Sequence, residues 1–282
     1  MKWIFALALL SLAACAQEAY EEARLQSAVT EIMGGQIVRD DQLWARAIVL
    51  IEISNDERCT GTLIEPDLVL TASHCVELLD DRGESATLTV HVRKANGGFD
   101  KFKTAVLRSH EDYAVVDGSV YNDIALIQLE RSVDPAIKPL QVAAAMNNLS
   151  PRTDLVAAGY GKTKDFFIAE EPEEILRTVA IKLSLKLNGQ QISPRYSEKS
   201  EIIVVSQKSE RGVCSGDSGG PLLRKVGPTF EVVGVANLVT NPANQKAPCM
   251  GYGVYQNVVY HKAWLQSANQ DIRSEAALRV AK

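Results

Sequence analysis

Ser218, His74 and Asp123 lie far apart in the chain and have the side-chain types of a nucleophile, a base and an orienting carboxylate. They stand in three short motifs, TASHC at 71–75, NDIAL at 122–126 and GDSGGP at 216–221. A serine hydroxyl is a weak nucleophile near neutral pH and needs a base within hydrogen-bond reach. Imidazole is such a base, and an acceptor on its second ring nitrogen fixes the tautomer. Together the three residues predict nucleophilic catalysis at Ser218.

Taken singly, each residue also has an ordinary structural explanation. A serine in a glycine-rich turn is usually only a turn residue, a histidine before a cysteine can be a packing residue, and an aspartate before an apolar strand can be a loop carboxylate. The remaining histidines have no comparable setting, and we expect structural roles for them: His91, His110 and His261.

The glycines of the third motif allow the chain to turn tightly around Ser218. Gly216, Gly219 and Gly220 tolerate backbone conformations that other residues rarely adopt. In such a turn the backbone N–H groups of Gly216 and Ser218 can converge on one point and bind the oxyanion of a tetrahedral intermediate. The motif therefore predicts an oxyanion hole formed by these two N–H groups.

The composition is that of a globular chain without affinity for polyanions. Hydrophobic residues make up 46% of the 282 residues, and 35 acidic against 30 basic side chains give a formal net charge of −5. This mild negative charge gives no reason to expect nucleic acid or anionic lipid as a partner. The mean hydropathy is −0.05, and the only long apolar run lies at the start of the chain.

No cofactor or metal is expected from the sequence. The residues 93–98 (RKANGG) lack the acidic oxygens that a calcium loop needs. No paired His/Cys pattern with metal-ligand spacing is present either.

The first 16 residues have the pattern of an export signal peptide. An apolar run over 3–12 follows Lys2 and is too short for a membrane-spanning helix, but it has the length of a signal h-region. The residues 12–15 (LAAC) resemble a bacterial lipobox, in which Cys15 is lipidated, while 14–16 also fit an ordinary signal-peptidase site. We favour lipidation, which would be the chain's one membrane attachment.

The five cysteines become an even set once Cys15 is set aside. An exported protein with four remaining cysteines can form two disulfide bonds in an oxidising compartment. Three pairings are open to these four residues: Cys59, Cys75, Cys214 and Cys249.

Beyond Ile32 the chain consists of short β-rich runs bounded by turn residues. The first six runs are 47–53, 60–64, 68–71, 86–92, 102–107 and 124–129. The second six are 154–158, 175–183, 201–205, 221–223, 231–238 and 253–257. This pattern predicts an all-β protein with two similar barrels or sandwiches, joined at 143–153. A helix is predicted over 258–269, and 271–282 is predicted to be a solvated tail.

The three motifs, in this order, closely resemble the signatures of chymotrypsin-like serine proteases, whose histidine, aspartate and serine follow one another in the same sequence. The resemblance covers 32–268. It implies two six-stranded antiparallel β-barrels, over about 32–145 and 150–257, and a C-terminal α-helix. It also implies a monomeric endopeptidase that cuts protein substrates through an acyl-enzyme at Ser218.

The same resemblance orders the cysteines. It implies a bridge between Cys59 and Cys75 beside the histidine, and a bridge from Cys214 to Cys249 across the specificity pocket. Other bridges common in animal members have no counterpart here, which suggests a bacterial secreted branch.

The segment 32–35 (IMGG) resembles the mature N-terminus of the family. The resemblance implies that 17–31 is a propeptide and that a second protease cuts between Glu31 and Ile32. The new α-amino group would then pair with Asp217 and shape the oxyanion hole. The alternative is that Ile32 simply begins a strand in an uncut chain.

The resemblance also predicts the specificity pocket. It puts Gly212 at the base with Val213 beside it, where trypsin-like members carry an aspartate, so cleavage after Lys or Arg is disfavoured. Asn237 and Val239 would form one wall, and Gly253 keeps the far wall small. We expect a shallow apolar pocket for Ala or Val, as in elastase-like members. The alternative is that these valines are ordinary strand residues.

Two other functions compete with the endopeptidase. A non-catalytic relative could use the fold to bind a partner, but such proteins usually lose a catalytic residue or a glycine of the nucleophile turn, and none is lost here. Hydrolysis of esters would use the same residues on a different substrate.

Overall fold

The structure is a computed structural model, and it describes residues 32–39, 41–53, 57–77, 87–95, 97–146, 149–161, 175–187, 190–191, 197–208, 211–241 and 248–280. The predicted signal peptide, the lipobox with Cys15 and the predicted propeptide 17–31 lie outside these residues. The described part contains no helix with the length and hydropathy of a membrane span.

The strands are numbered in chain order. They are β1 (Gln36–Ile37), β2 (Ile48–Ile53), β3 (Glu57–Glu65), β4 (Leu68–Thr71), β5 (Leu88–Arg93), β6 (Phe99–Ser109), β7 (Ala114–Val116), β8 (Ser119–Tyr121), β9 (Ala125–Leu129), β10 (Gln141–Val142), β11 (Leu155–Gly159), β12 (Arg177–Leu183), β13 (Lys186–Leu187), β14 (Gln190–Gln191), β15 (Ile202–Ser206), β16 (Pro221–Val226), β17 (Thr229–Thr240) and β18 (Tyr252–Asn257). Three 3-10 turns cover Leu43–Ala47, Ser73–Cys75 and Pro248–Met250. The helix α1 covers Lys262–Val280.

The first barrel closes in the order β2-β3-β4-β9-β6-β5, with antiparallel neighbours throughout. Its shortest strands are almost wholly apolar: β4 reads LVLT and β9 reads ALIQL, and every residue of both is buried. Because strand residues point alternately into the barrel and outward, burial on both sides means that other elements cover the barrel here.

The second barrel is also a closed ring. β12 pairs with β11, β11 with β16, β16 with β17, β17 with β18, β18 with β15, and β15 with β12. All six pairings are antiparallel. The predicted all-β fold of two six-stranded barrels is therefore confirmed, and each of the twelve predicted runs overlaps one barrel strand.

The ends of the first predicted barrel belong to the second one. β1 pairs with β12, and β10 runs parallel to β17. The strands of the first barrel thus extend only from Ile48 to Leu129, not over 32–145. The expected limits were wrong because they were drawn along the chain, while these two short strands cross to the neighbouring barrel.

The C-terminal prediction needs a second correction. The helix begins at Lys262 and runs to Val280, so 271–280 is helical and not a solvated tail. Its inner face buries Leu265, Ala268 and Ile272, which recur at helical spacing.

Charged residues hold the last turns of α1 on the first barrel. The Arg273 guanidinium donates to Glu65 and Asp67 at 2.6–2.7 Å. Arg108 of β6 donates to Glu275 at 2.9 Å. The helix therefore packs against the barrel through ion pairs as well as through its apolar face.

Candidate active site

His74 and Asp123 lie at the same end of the first barrel because the strands that carry them are neighbours. Thr71, the last residue of β4, is the register partner of Ala125, the first residue of β9. His74 follows β4 in a 3-10 turn, and Asp123 lies two residues before β9. Strand pairing thus brings together two residues that are 49 positions apart.

The Asp123 carboxylate fixes His74 through two hydrogen bonds. The His74 Nδ1 atom is 2.7 Å from one carboxylate oxygen, and the His74 backbone N–H donates to the other at 2.9 Å. Asp123 is fully buried, while 30% of the His74 side chain is exposed. The ring is therefore oriented with its second nitrogen, Nε2, away from the carboxylate.

Ser218 stands in a tight turn that only glycines permit. The φ angles of Gly216 and Gly219 are 93° and 78°, in the left-handed region. A Cβ atom on Gly219 would lie 2.1 Å from the Thr71 Oγ1 atom and 2.5 Å from the Thr60 carbonyl oxygen. The turn is therefore pressed against the two strands of the first barrel that lead to His74.

Thr60 of β3 bonds this turn to the first barrel. Its backbone N–H donates to the Ser218 carbonyl oxygen at 2.8 Å, and its hydroxyl donates to the Gly216 carbonyl oxygen at 2.9 Å. The same hydroxyl accepts from the Tyr160 N–H at 3.0 Å. These three bonds join the barrels at Ser218.

The disulfide bond Cys59–Cys75 completes the connection to His74. Cys59 precedes Thr60, and Cys75 follows His74 directly. The Ser218 turn is thus connected to His74 through the Thr60 hydrogen bonds and the Cys59–Cys75 disulfide bond. In the part of the chain that the structure describes, no hydrogen bond joins the Ser218 hydroxyl to the His74 ring.

Gly216 and Ser218 are partly exposed residues, and their N–H groups make no hydrogen bond to any described residue. Backbone donors without protein acceptors are uncommon in folded chains, and they need water or a ligand. The two N–H groups belong to the residues on either side of Asp217 in the sequence, and they can donate hydrogen bonds to a bound anion.

The Asp217 carboxylate is fully buried behind the turn. It accepts hydrogen bonds from the Gly161 N–H at 2.8 Å and from the Cys214 N–H at 2.9 Å. Burial raises the pKa of Asp217 to about 7, although these two bonds and the charge of Arg177 oppose the shift. Arg177 is also fully buried, and burial lowers its pKa to about 10 against the pull of Asp217.

Ile32 and Met33 lie beside this region. Ile32 is fully buried, and Met33 forms a β-bridge with Gly212, whose N–H donates to the Met33 carbonyl oxygen at 3.0 Å. Met33 also packs on the two cysteines of the second bridge. In the intact chain Ile32 carries a peptide nitrogen, so its pairing with Asp217 as an amine stays a prediction.

Both disulfide bonds implied by the resemblance are present, and their Cα atoms lie 6.2 and 5.4 Å apart: Cys59–Cys75 and Cys214–Cys249. One group of described side chains with metal-ligand spacing includes Cys59, His74 and Cys75. Its two cysteines are joined to each other and offer no thiolate.

A pocket of about 230 Å³ opens beside Ser218. Its lining residues are Val213, Cys214, Ser215, Ser218, Ala236, Asn237, Leu238 and Val239. Of the five residues predicted for the pocket, Val213, Asn237 and Val239 are therefore in this lining. Gly212 and Gly253, both described, are not.

The side chain of Gln207 lies against both glycines. This residue follows β15, is fully buried, and fills the space between Gly212 and Gly253. The placement of Gly212 at the base and Gly253 at the far wall of the pocket therefore stays a prediction. Nothing in the sequence distinguishes Gln207, because its importance comes from contacts with residues on three other segments.

Asn237 is buried at a bulge in β17, where the register with β18 shifts between Ala236 and Leu238. Its side-chain amide makes no hydrogen bond to any described residue. In the described chain this amide makes no hydrogen bond to Asp123 either.

The other histidines are held in packing contacts. The His91 Nε2 atom lies 2.5 Å from Glu52, and His110 stacks on Trp264 with ring centroids 4.9 Å apart. His261 is bonded to Gln256 at 3.0 Å, and burial lowers its pKa to about 4. These contacts agree with the structural roles expected for them.

Comparison with known proteins agrees with this geometry. The family model described as Trypsin matches residues 32–265. Human granzyme H is 29% identical over 241 residues, which cover 84% of this chain and 90% of that protein. The CLIP domain-containing serine protease B4 of Anopheles gambiae is 27% identical over 265 residues, with coverage of 83% and 69%. Glucanase inhibitor protein 3 of Phytophthora infestans is 26% identical over 239 residues, with coverage of 84% and 87%.

The match extends over both barrels and reaches the start of α1, and it includes the three motifs around His74, Asp123 and Ser218. The chain belongs to the trypsin family of chymotrypsin-like serine proteases and is a serine endopeptidase.

Proposed function

We propose that this chain is an exported endopeptidase that hydrolyses peptide bonds through an acyl-enzyme, with Ser218 as nucleophile, His74 as base and Asp123 as the carboxylate that orients it. The observation that carries the proposal is the presence, at one end of the first barrel, of the His74–Asp123 pair and of a glycine-rich turn whose two N–H groups have no acceptor among the described residues.

In the first half of the reaction, the Ser218 hydroxyl oxygen attacks the carbonyl carbon of the scissile bond. Its proton passes to the His74 Nε2 atom, and the Asp123 carboxylate stabilises the resulting imidazolium through the Nδ1–H bond. The carbonyl oxygen becomes an oxyanion and binds the N–H groups of Gly216 and Ser218. His74 then gives the proton to the leaving amine, and the acyl group stays on Ser218.

Water completes the reaction by the same groups. His74 removes a proton from the attacking water, the oxyanion forms again, and the proton returns to the Ser218 oxygen as the acid leaves. The turn needs no rearrangement between the halves because its donors are backbone N–H groups fixed by the fold.

The pocket supports selectivity for small apolar residues before the scissile bond. Val213 and Val239 contribute apolar walls, and the described residues that line the pocket include no acidic side chain. A buried lysine or arginine side chain would find no counter-charge there, which is costly. We propose an elastase-like preference for Ala and Val.

Activation by cleavage between Glu31 and Ile32 fits the burial of Asp217. The new α-amino group would be a cation close to a carboxylate whose charge is disfavoured by burial. The pair would hold Asp217 ionised and the turn ordered. A protease other than the enzyme itself would make the cut, because a glutamate does not suit an apolar pocket.

Export is proposed from the first 16 residues and is supported by the two disulfide bonds, which persist in oxidising compartments. A bacterial cell-envelope lipoprotein anchored at Cys15 is our proposal from the LAAC motif, although the three relatives named above are eukaryotic. A monomer is proposed as well.

A binding protein without catalysis is the second candidate. One relative of similar length is named as an inhibitor, glucanase inhibitor protein 3. The fold can therefore belong to a protein that is not named as a protease.

Covalent labelling separates the two candidates. The chain cleaved after Glu31 is treated with a serine-directed fluorophosphonate, and labelling is expected in the wild type but not in Ser218→Ala. The matched control is Ser274→Ala, which changes an exposed serine of α1 that is not among the residues lining the pocket and should leave labelling intact. A correctly folded wild type that stays unlabelled would favour the binding protein.

A further inference from the structure

Gln207 is a buried polar residue in the wall of the second barrel, behind the pocket. It follows β15 and precedes the segment that carries Gly212 and Val213. Its side chain is completely shielded from solvent. Glutamine is seldom buried unless its amide is hydrogen-bonded, so its partners decide what it does.

The Gln207 amide is bonded to the two segments that flank the pocket. Its Nε2 atom donates to the carbonyl oxygens of Val213 at 3.0 Å and Cys249 at 2.6 Å, and its Oε1 atom accepts from the Val213 N–H at 2.9 Å. Both amide protons are therefore used on the wall. The side chain offers no free donor to a substrate.

The same side chain occupies the room that the neighbouring glycines leave. A Cβ atom on Gly212 would lie 2.2 Å from the Gln207 Cδ atom, and one on Gly253 would lie 2.6 Å from its Oε1 atom. The described lining of the pocket includes Val213 but neither glycine. The space that Gly212 and Gly253 would leave open at the pocket is therefore occupied by the Gln207 side chain.

We propose that Gln207 is the specificity-determining residue that closes the base of the substrate pocket and restricts it to small aliphatic side chains. The inference rests on the proposed function, because it assigns the residue that limits the substrate of that same site. The proposal has a chemical consequence. Because the Gln207 amide is hydrogen-bonded to backbone groups, the base of the pocket is uncharged and offers the substrate side chain no hydrogen bond. It therefore selects substrate side chains by their volume.

The test compares variants that empty this space with one that keeps it filled. Gln207→Ala and Gln207→Asn shorten the side chain, whereas Gln207→Met keeps its length without the amide. Each variant is cleaved after Glu31, titrated with the fluorophosphonate, and assayed on peptides that differ only in Ala, Val, Leu or Phe before the cut. Normalisation to titrated sites separates the result from folding yield.

We expect the ratio of kcat/KM for Leu to that for Ala to rise about 10-fold or more in Gln207→Ala, because a single methylene in an apolar pocket is worth about 10- to 200-fold. Gln207→Asn should shift it in the same direction by less. Gln207→Met should keep the wild-type ratio. Equal ratios in all four proteins, or a shift in Gln207→Met as large as in Gln207→Ala, would overturn the proposal.

Gln256→Ala is the matched control. Gln256 is equally buried in the same barrel and bonds to His261, whose ring contacts His110 and Tyr260, and none of these residues lines the pocket. Its loss should lower stability and leave the substrate ratio unchanged. Failure of the fluorophosphonate to label any of the proteins would refute the proposed function instead, so the two failures are distinguishable.

Discussion

Asp217 should make the uncleaved chain less stable as pH rises. Burial raises the pKa of its carboxyl from 3.8 to about 7. A pKa that is higher in the folded state gives stability that is complete below the unfolded value and is lost as pH climbs through the folded one. Since one pKa unit corresponds to about 1.36 kcal/mol, the total loss by about pH 8 is roughly 4 kcal/mol.

Urea unfolding of an inactive precursor measures this loss. Ser218→Ala prevents self-cleavage, and the comparison is with the same chain carrying Asp217→Asn, which cannot ionise. Between about pH 5 and pH 8 the free energy of unfolding of Ser218→Ala should fall by about 2–3 kcal/mol more than that of the double variant. Parallel pH profiles of the two proteins would refute the reasoning.

Cleavage between Glu31 and Ile32 should reverse the direction in which the free energy of unfolding changes with pH. The new ammonium group favours the ionised carboxylate, so the pKa of Asp217 falls and that of the amine rises. The cleaved protein should therefore gain stability as pH rises from the acid side, and should lose it only when the amine deprotonates. If the cleaved and uncleaved chains have the same profile, the amine does not reach Asp217.

Three further changes test other parts of the structure. Asp123→Asn should lower kcat by about 10⁴ with little effect on KM, because an amide favours the wrong imidazole tautomer; steady-state kinetics measures this. Thr60→Val should cost about 1–3 kcal/mol in urea unfolding, because it deprives the Tyr160 N–H of a buried acceptor, while Thr62→Val, two residues along the same strand, serves as its control. Truncation after Asn269 should lower the Tm, since it removes the buried residue Ile272 and the ion pairs of α1; unchanged melting would show that the end of the helix contributes nothing.

Most of the fold was predictable because each barrel strand is signalled locally. β2 (IVLIEI) and β4 (LVLT) are β-branched and apolar runs that need no distant information to be recognised. The end of α1 was missed for the opposite reason. Arg273 and its charged neighbours look solvated in the sequence, and only the fold reveals that Glu65 and Asp67 of the first barrel are their partners.

The candidate site also has a part that was predictable from the sequence and a part that was not. The turn around Ser218 is encoded by its own glycines, and the pairing of β4 with β9 brings His74 to Asp123, so motifs were enough to predict these residues. The base of the pocket was not predictable. Gln207 acts through bonds to backbone atoms of two segments, at Val213 and at Cys249, and a backbone atom carries no signature in the sequence.

The contacts between the two barrels, more than either barrel alone, determine whether Ser218 can reach His74. His74 and Asp123 come from one barrel, so their contact survives any movement of the other. Ser218 comes from the second barrel and is positioned by the bonds of Thr60 and by the contact of Gly219 with Thr71. A misplacement of about 1 Å can lower the rate of a positioned reaction about 10²-fold. Activity should therefore be more sensitive than stability to changes at Thr60, because the two barrels can each stay folded after the geometry that joins them is lost.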